Sequence, residues 1–65
     1  MREKLKKARK TKNLFQRDIA QYLGMATKAY QRIEVGARGT SEDNWLKLNE
    51  LFGEEFPLPE LMKNS

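Results

Sequence analysis

The stretch QRDIAQYLGMATKAYQRIE, residues 16–34, decides how this chain is read, because it holds two short helical patterns separated by a single glycine, Gly24. Ile19, Ala20 and Leu23 recur at offsets of three and four, which places them on one face of a helix predicted over residues 16–23. Gly24 stands just past the last apolar position, where a residue free to take φ > 0 ends a helix and turns the chain at once. Met25 is placed to plug the corner. A second helix is predicted over residues 27–34, with Tyr30 and Ile33 inward and Thr27, Lys28, Gln31 and Arg32 pointing elsewhere. Most of its surface is therefore polar.

Upstream, residues 3–12 predict a first helix with a sparse inward stripe of Leu5 and Ala8, and Asn13 as its stop signal. Downstream, GARGTSEDNW, residues 36–45, is the one clear loop, ending in Thr40 or Ser41 as an N-cap ahead of Glu42 and Asp43. A fourth helix carries Trp45, Leu48, Leu51 and Phe52 inward and closes at Gly53. The tail EEFPLPELMKNS, residues 54–65, permits a short last helix from Pro59 with Leu61 and Met62 as its apolar face. Alternating β-branched runs are missing, and Val35 is the only valine. The expectation is an all-α fold, a compact bundle of about five short helices forming one domain over residues 1–65.

Composition narrows the chemistry. The 65 residues include no cysteine and no histidine, which removes disulfides, thiolate zinc sites and His-activated nucleophiles. The carboxylates fall mainly in the acidic fourth helix and tail, and no glycine loop cradles a phosphate, so the reading is not an enzyme and calls for no metal, cofactor or small-molecule substrate. No run of about 18 apolar residues occurs, and the basic N-terminus leads into no apolar signal segment. A soluble cytoplasmic protein is expected. The net charge of +4 hides a gradient: +7 over residues 1–17, +1 over residues 18–38 and −4 over residues 39–65. Such asymmetry fits a polyanion partner at the basic end, although REKLKKARKTK, residues 2–12, reads equally as the solvated face of a surface helix. Its apolar face is too small for a membrane role.

The ordered set Gln16, Ile19-Ala20, Leu23-Gly24, Met25, Thr27-Lys28 and Ile33-Glu34-Val35-Gly36 resembles the helix-turn-helix domain of lambda-type phage repressors and Cro proteins. With Leu5, Arg9 and Leu14 before it and residues 48–53 after it, the resemblance covers most of the chain. It implies a sequence-specific regulator of double-stranded DNA, a phage- or prophage-type repressor or Cro-like protein that binds a palindromic operator as a homodimer, with the helix at 27–34 as recognition helix in the major groove. From another class, the same fold serves as a protein-interaction module of antitoxin or antirepressor kind. Salt dependence and preference for one duplex separate the two.

The resemblance assigns base reading to Thr27, Lys28, Gln31 and Arg32, whose side chains match guanine, adenine and thymine edges. From composition alone these four are ordinary exposed helix residues. Phosphate holding falls to Gln16, with Lys12, Asn13, Arg17 and Arg38 around it. Arg9 and Glu34 are expected to pair and orient the recognition helix, either as a partly buried bridge or as a loose surface pair. Phe56, Leu58, Leu61 and Met62 are the expected dimer surface, the alternative being a lid on the monomer core.

Four positions depart from the family pattern. Phe15 and Ala26 replace capping Ser or Thr, so both central helices are expected to start uncapped, with N–H groups left for phosphate oxygens. Tyr30 replaces an aliphatic residue and is expected in the core with its hydroxyl at the surface or on the DNA backbone. Val35 replaces a frequent Asn.

Overall fold

The apolar stripes read from the sequence become the buried faces of five helices. The computed structural model describes residues 1–64, and these form α1 (Glu3–Thr11), α2 (Gln16–Leu23), α3 (Thr27–Val35), α4 (Glu42–Phe52) and α5 (Leu58–Met62), with no strand among them. Leu5 and Ala8 of α1, Ile19, Ala20 and Leu23 of α2, Tyr30 and Ile33 of α3, and Trp45, Leu48 and Phe52 of α4 meet in one core. Leu14, Met25, Leu51 and Leu58 pack half-buried around it, so Leu51 is less enclosed than its register suggested. Phe52 and Phe56 meet edge to face, with ring centroids 6.3 Å apart.

The helix ends follow local chemistry. Asn13, at φ 58°, takes the left-handed conformation that ends α1. Gly24, at φ 72°, does the same for α2, and the N–H groups of Gly24 and Met25 donate to the carbonyls of Gln21 (3.1 Å) and Ala20 (2.9 Å). Carbonyls that the helix would otherwise leave unpaired are thus satisfied while the chain reverses. At the start of α4, Ser41 Oγ accepts from the Asn44 N–H at 3.2 Å, and Thr40 Oγ1 accepts from the Asn44 side-chain amide at 2.8 Å. Ser41 is therefore the cap. Ser41→Ala is expected to lower stability by about 1 kcal/mol in urea denaturation, and an unchanged midpoint would show that the cap is idle.

The tail requires a correction. Phe56 (9% exposed) and Leu61 (0%) lie in the core, where α5 packs against α1 and α4, so neither is available as a dimer surface. A domain of this size has few apolar side chains with which to close a core, and these two are consumed in closing it. Of the other two residues named for that surface, Leu58 is half-buried and Met62 is exposed at 44%.

Candidate nucleic-acid interface

With Tyr30 and Ile33 turned into the core and α2 packed against it, α3 keeps its opposite face free. Thr27, Lys28, Gln31 and Arg32 are all exposed. Lys28, Gln31 and Arg32 line one shallow depression together with Val35, whose side chain is 47% exposed. Thr27 stands in the first turn, next to Ala26, which offers no capping side chain. The arrangement presents ammonium, amide and guanidinium donors on one outward surface, backed by a rigid helix pair. Val35 adds a methyl-bearing patch at its edge, a member of this surface that the sequence had marked only as a departure.

Glu34 faces the other way and is buried at 1% exposure. Arg9 meets it with two parallel bonds: Nε donates to Oε2 at 3.0 Å and Nη2 to Oε1 at 2.9 Å. The Arg9 side chain is itself only 11% exposed, so of the two readings of this pair the buried bridge is the one present. Nη1 of the same guanidinium donates to the Leu14 carbonyl at 3.0 Å, tying α1, the α1–α2 link and α3 through one side chain. The hydrogen bonds to Glu34 hold Arg9 above its ordinary value, against the opposing effect of burial. The Gln16 amide also turns toward this carboxylate, Nε2 standing 3.5 Å from Oε1. The neighbouring Tyr30 corrects its expected placement: its hydroxyl is sealed inside and makes no hydrogen bond, so it reaches neither the surface nor a DNA backbone. Burial first, and the charge of Glu34 second, push the phenol well above its ordinary value.

The phosphate-contact candidates around the start of α2 lie at or near the surface. Lys12, Asn13 and Arg17 are exposed, Gln16 is half-buried, and Arg38 is exposed in the loop after α3, its Nε donating to the Gly39 carbonyl at 3.2 Å. Arg17 stacks over the Phe15 ring, 4.8 Å from its centroid. The expectation of two uncapped starts holds for α3 and needs correcting for α2. Phe15 has no side-chain acceptor, but the Asp18 carboxylate reaches back to the Phe15 N–H at 2.7 Å, which is one half of a capping box. The Asp18 N–H donates to the Phe15 carbonyl at 3.0 Å, and among the described residues the N–H groups of Gln16 and Arg17 have no acceptor.

A family model described as helix-turn-helix matches residues 5–58. The chain belongs to the Cro/C1-type helix-turn-helix family. Comparison with curated proteins and with solved structures gave no match. Membership makes this a DNA-binding domain of the transcription-regulator type, from a family that is generally non-enzymatic. Among the described residues, no helix is long and apolar enough to cross a membrane.

One residue of this helix-turn-helix domain carries a role that sequence reasoning missed. Arg2, counted only as part of the basic N-terminus, is half-buried, and its guanidinium lies 5.3 Å from the centroid of the Trp45 ring. Nη1 donates to the carbonyls of Ile33 (2.6 Å) and Arg38 (2.8 Å), and Nε to that of Met62 (3.1 Å). The Arg2 backbone N–H donates to the Glu34 carbonyl at 2.8 Å. Carbonyls at the C-terminal ends of α3 and α5 are thereby paired by one residue at the other end of the chain. Its only sequence signal was its place, immediately before the first helix.

Proposed function

We propose that the chain is a sequence-specific, double-stranded DNA-binding transcriptional regulator, a phage- or prophage-type repressor or Cro-like protein that lays α3 in the major groove. The observation that carries this reading is the division of α3 into two faces. Tyr30, Ile33 and Glu34 are buried, whereas Thr27, Lys28, Gln31 and Arg32 are exposed together. A helix with its side chains measures roughly 10–12 Å across, and the groove is about 12 Å wide. Lys28 and Arg32 donate to O6 and N7 of guanine, Gln31 pairs with N6 and N7 of adenine, and Thr27 bonds or packs on a thymine methyl group.

Orientation on the duplex comes from backbone phosphates. Gln16 and the open N–H groups of α2 hold one strand with Lys12, Asn13 and Arg17, and Arg38 holds the other side. One domain covers a half-site, so a homodimer on a palindromic operator follows, with half-sites about 34 Å apart. Only Leu58 and Met62 of the apolar tail remain accessible, which favours pairing on DNA over a stable dimer in free solution. The protein works in the cytoplasm and uses no cofactor.

Arg32→Ala is expected to cost about 1–3 kcal/mol and to relax preference at one base pair, whereas Gln16→Ala weakens all sequences alike. Affinities for a set of single-base operator variants at fixed salt decide this. A uniform loss from Arg32→Ala makes it a backbone contact, and a wild type indifferent to sequence supports the protein-interaction module instead.

A further inference from the structure

We propose that Arg2 is a positioning residue for DNA binding: it fixes the end of the recognition helix and the loop beyond it, so that Arg38 is held where it meets a phosphate. The proposal rests on the DNA-binding reading above. Its bonds go to backbone carbonyls at the C-terminal end of α3 and in the loop beyond, and to none of the side chains of Thr27, Lys28, Gln31 and Arg32.

The last turn of α3 and the loop that follows are held together by bonds from two sources. From within, the N–H groups of Ala37 and Arg38 both donate to the Arg32 carbonyl, at 2.9 and 3.3 Å, and the Gly36 N–H donates to that of Ile33 at 3.1 Å. From outside come three bonds from Arg2 and one from the Asn64 side-chain amide, which donates to the Gly36 carbonyl at 3.0 Å. One guanidinium nitrogen bridges Ile33 in the helix and Arg38 in the loop, so a single planar group spans the point where the chain leaves α3. The Arg2 N–H takes the Glu34 carbonyl, which places the backbone of the Arg9 partner under the same control. Trp45, 4% exposed, backs the guanidinium, and Nε anchors it to the end of α5. A flexible lysine in this place has no planar fork with which to reach three carbonyls in three directions.

The consequence reaches the DNA through Arg38. Its side chain is exposed and projects from the loop whose backbone carbonyl Arg2 holds. A charge on an untethered loop must be ordered to meet a phosphate, and where that ordering entropy exceeds the gain from one exposed contact the phosphate keeps its counterions instead. With Arg2 in place the loop is ordered beforehand. The bond from Arg2 goes to the Arg38 carbonyl and not to its side chain, so the two can be separated by mutation.

The test compares wild type, Arg2→Met, Arg2→Lys, Arg38→Ala and the Arg2→Met/Arg38→Ala double variant, all at a temperature where circular dichroism shows them folded. In the free proteins, amide exchange is expected to lose protection at Ala37 and Arg38 in both Arg2 variants while Leu48 in the core stays protected. Parallel loss at all three would show general stability alone and overturn the proposal, as would unchanged exchange at Ala37 and Arg38. On duplex DNA, the slope of log affinity against log salt is expected to shrink by about 0.9, one phosphate, in Arg2→Met, Arg2→Lys and Arg38→Ala alike, and by no more in the double variant. Restoration of the slope by Arg2→Lys, or a double variant that loses two phosphates, would mean that Arg2 touches DNA directly and would overturn the positioning role. A wild type that binds no duplex contradicts the DNA-binding reading itself, and the exchange data then stand apart as a measure of the clamp.

Discussion

Arg9→Ala is expected to leave most of the chain unfolded at 25 °C. The variant strands the Glu34 carboxylate, 1% exposed, with the Gln16 amide 3.5 Å away. Removing one partner of a buried ion pair costs about 3–5 kcal/mol, and a single-core domain of this size holds only roughly 3–5 kcal/mol in total. The same guanidinium also bonds the Leu14 carbonyl, so the link between α1 and α2 loosens with it. Urea denaturation of wild type and variant measures the difference. The loss belongs to the unpaired charge more than to the bridge, so Arg9→Met combined with Glu34→Leu is expected to recover much of it. A cost for Arg9→Ala below about 1 kcal/mol, the range of surface pairs, would mean that the bridge is open to solvent.

The second large effect is alkaline instability centred on Tyr30. Its phenol is raised from the ordinary value of 10.0, chiefly by burial and next by the negative charge of Glu34. The protonated phenol is the neutral form, and the fold retains that proton at pH values where the unfolded chain has released it. The contribution to stability is therefore fully present below about pH 10 and declines as pH rises above that value, by about 1.4 kcal/mol per pH unit for one proton. Lysine deprotonation acts on any variant too, so the quantity to measure is the difference between wild type and Tyr30→Phe in urea midpoints from pH 9 to 12. The midpoint of the variant is expected to fall less steeply than that of wild type above pH 10, and parallel curves would show that the phenol ionises freely in the fold.

How far the sequence could be read depends on the range of the forces involved. The boundaries of α2 and the corner at Gly24 were legible because they rest on apolar spacing and a glycine's freedom at positive φ, both local. The N-cap of α4 was legible for the same reason, whereas the half capping box at α2 was missed, because attention went to the absent acceptor on Phe15 and not to Asp18 three residues on. The outward set of Thr27, Lys28, Gln31 and Arg32 followed from where Tyr30 and Ile33 had to go. The Arg2 clamp was not legible. Its acceptors are backbone carbonyls at residues 33, 38 and 62, and a carbonyl has no residue type to betray it. Phe56 and Leu61 were ambiguous because an apolar side chain carries no mark of whether its own core or a partner will cover it. The fate of the Tyr30 hydroxyl depended on how tightly α1 and α2 close over Glu34, a packing detail with no sequence period.

Selection of bound duplexes from a random pool, at physiological salt, probes the placement of α3 most directly, because it reports base preference and half-site spacing in one experiment. The expected result is an enriched motif repeated in inverted orientation about 34 Å apart, with its strongest positions lost when Lys28 and Arg32 are replaced by alanine. A pool that emerges with no enriched motif, or a motif unchanged by those two replacements, would contradict α3 as the reader of the groove.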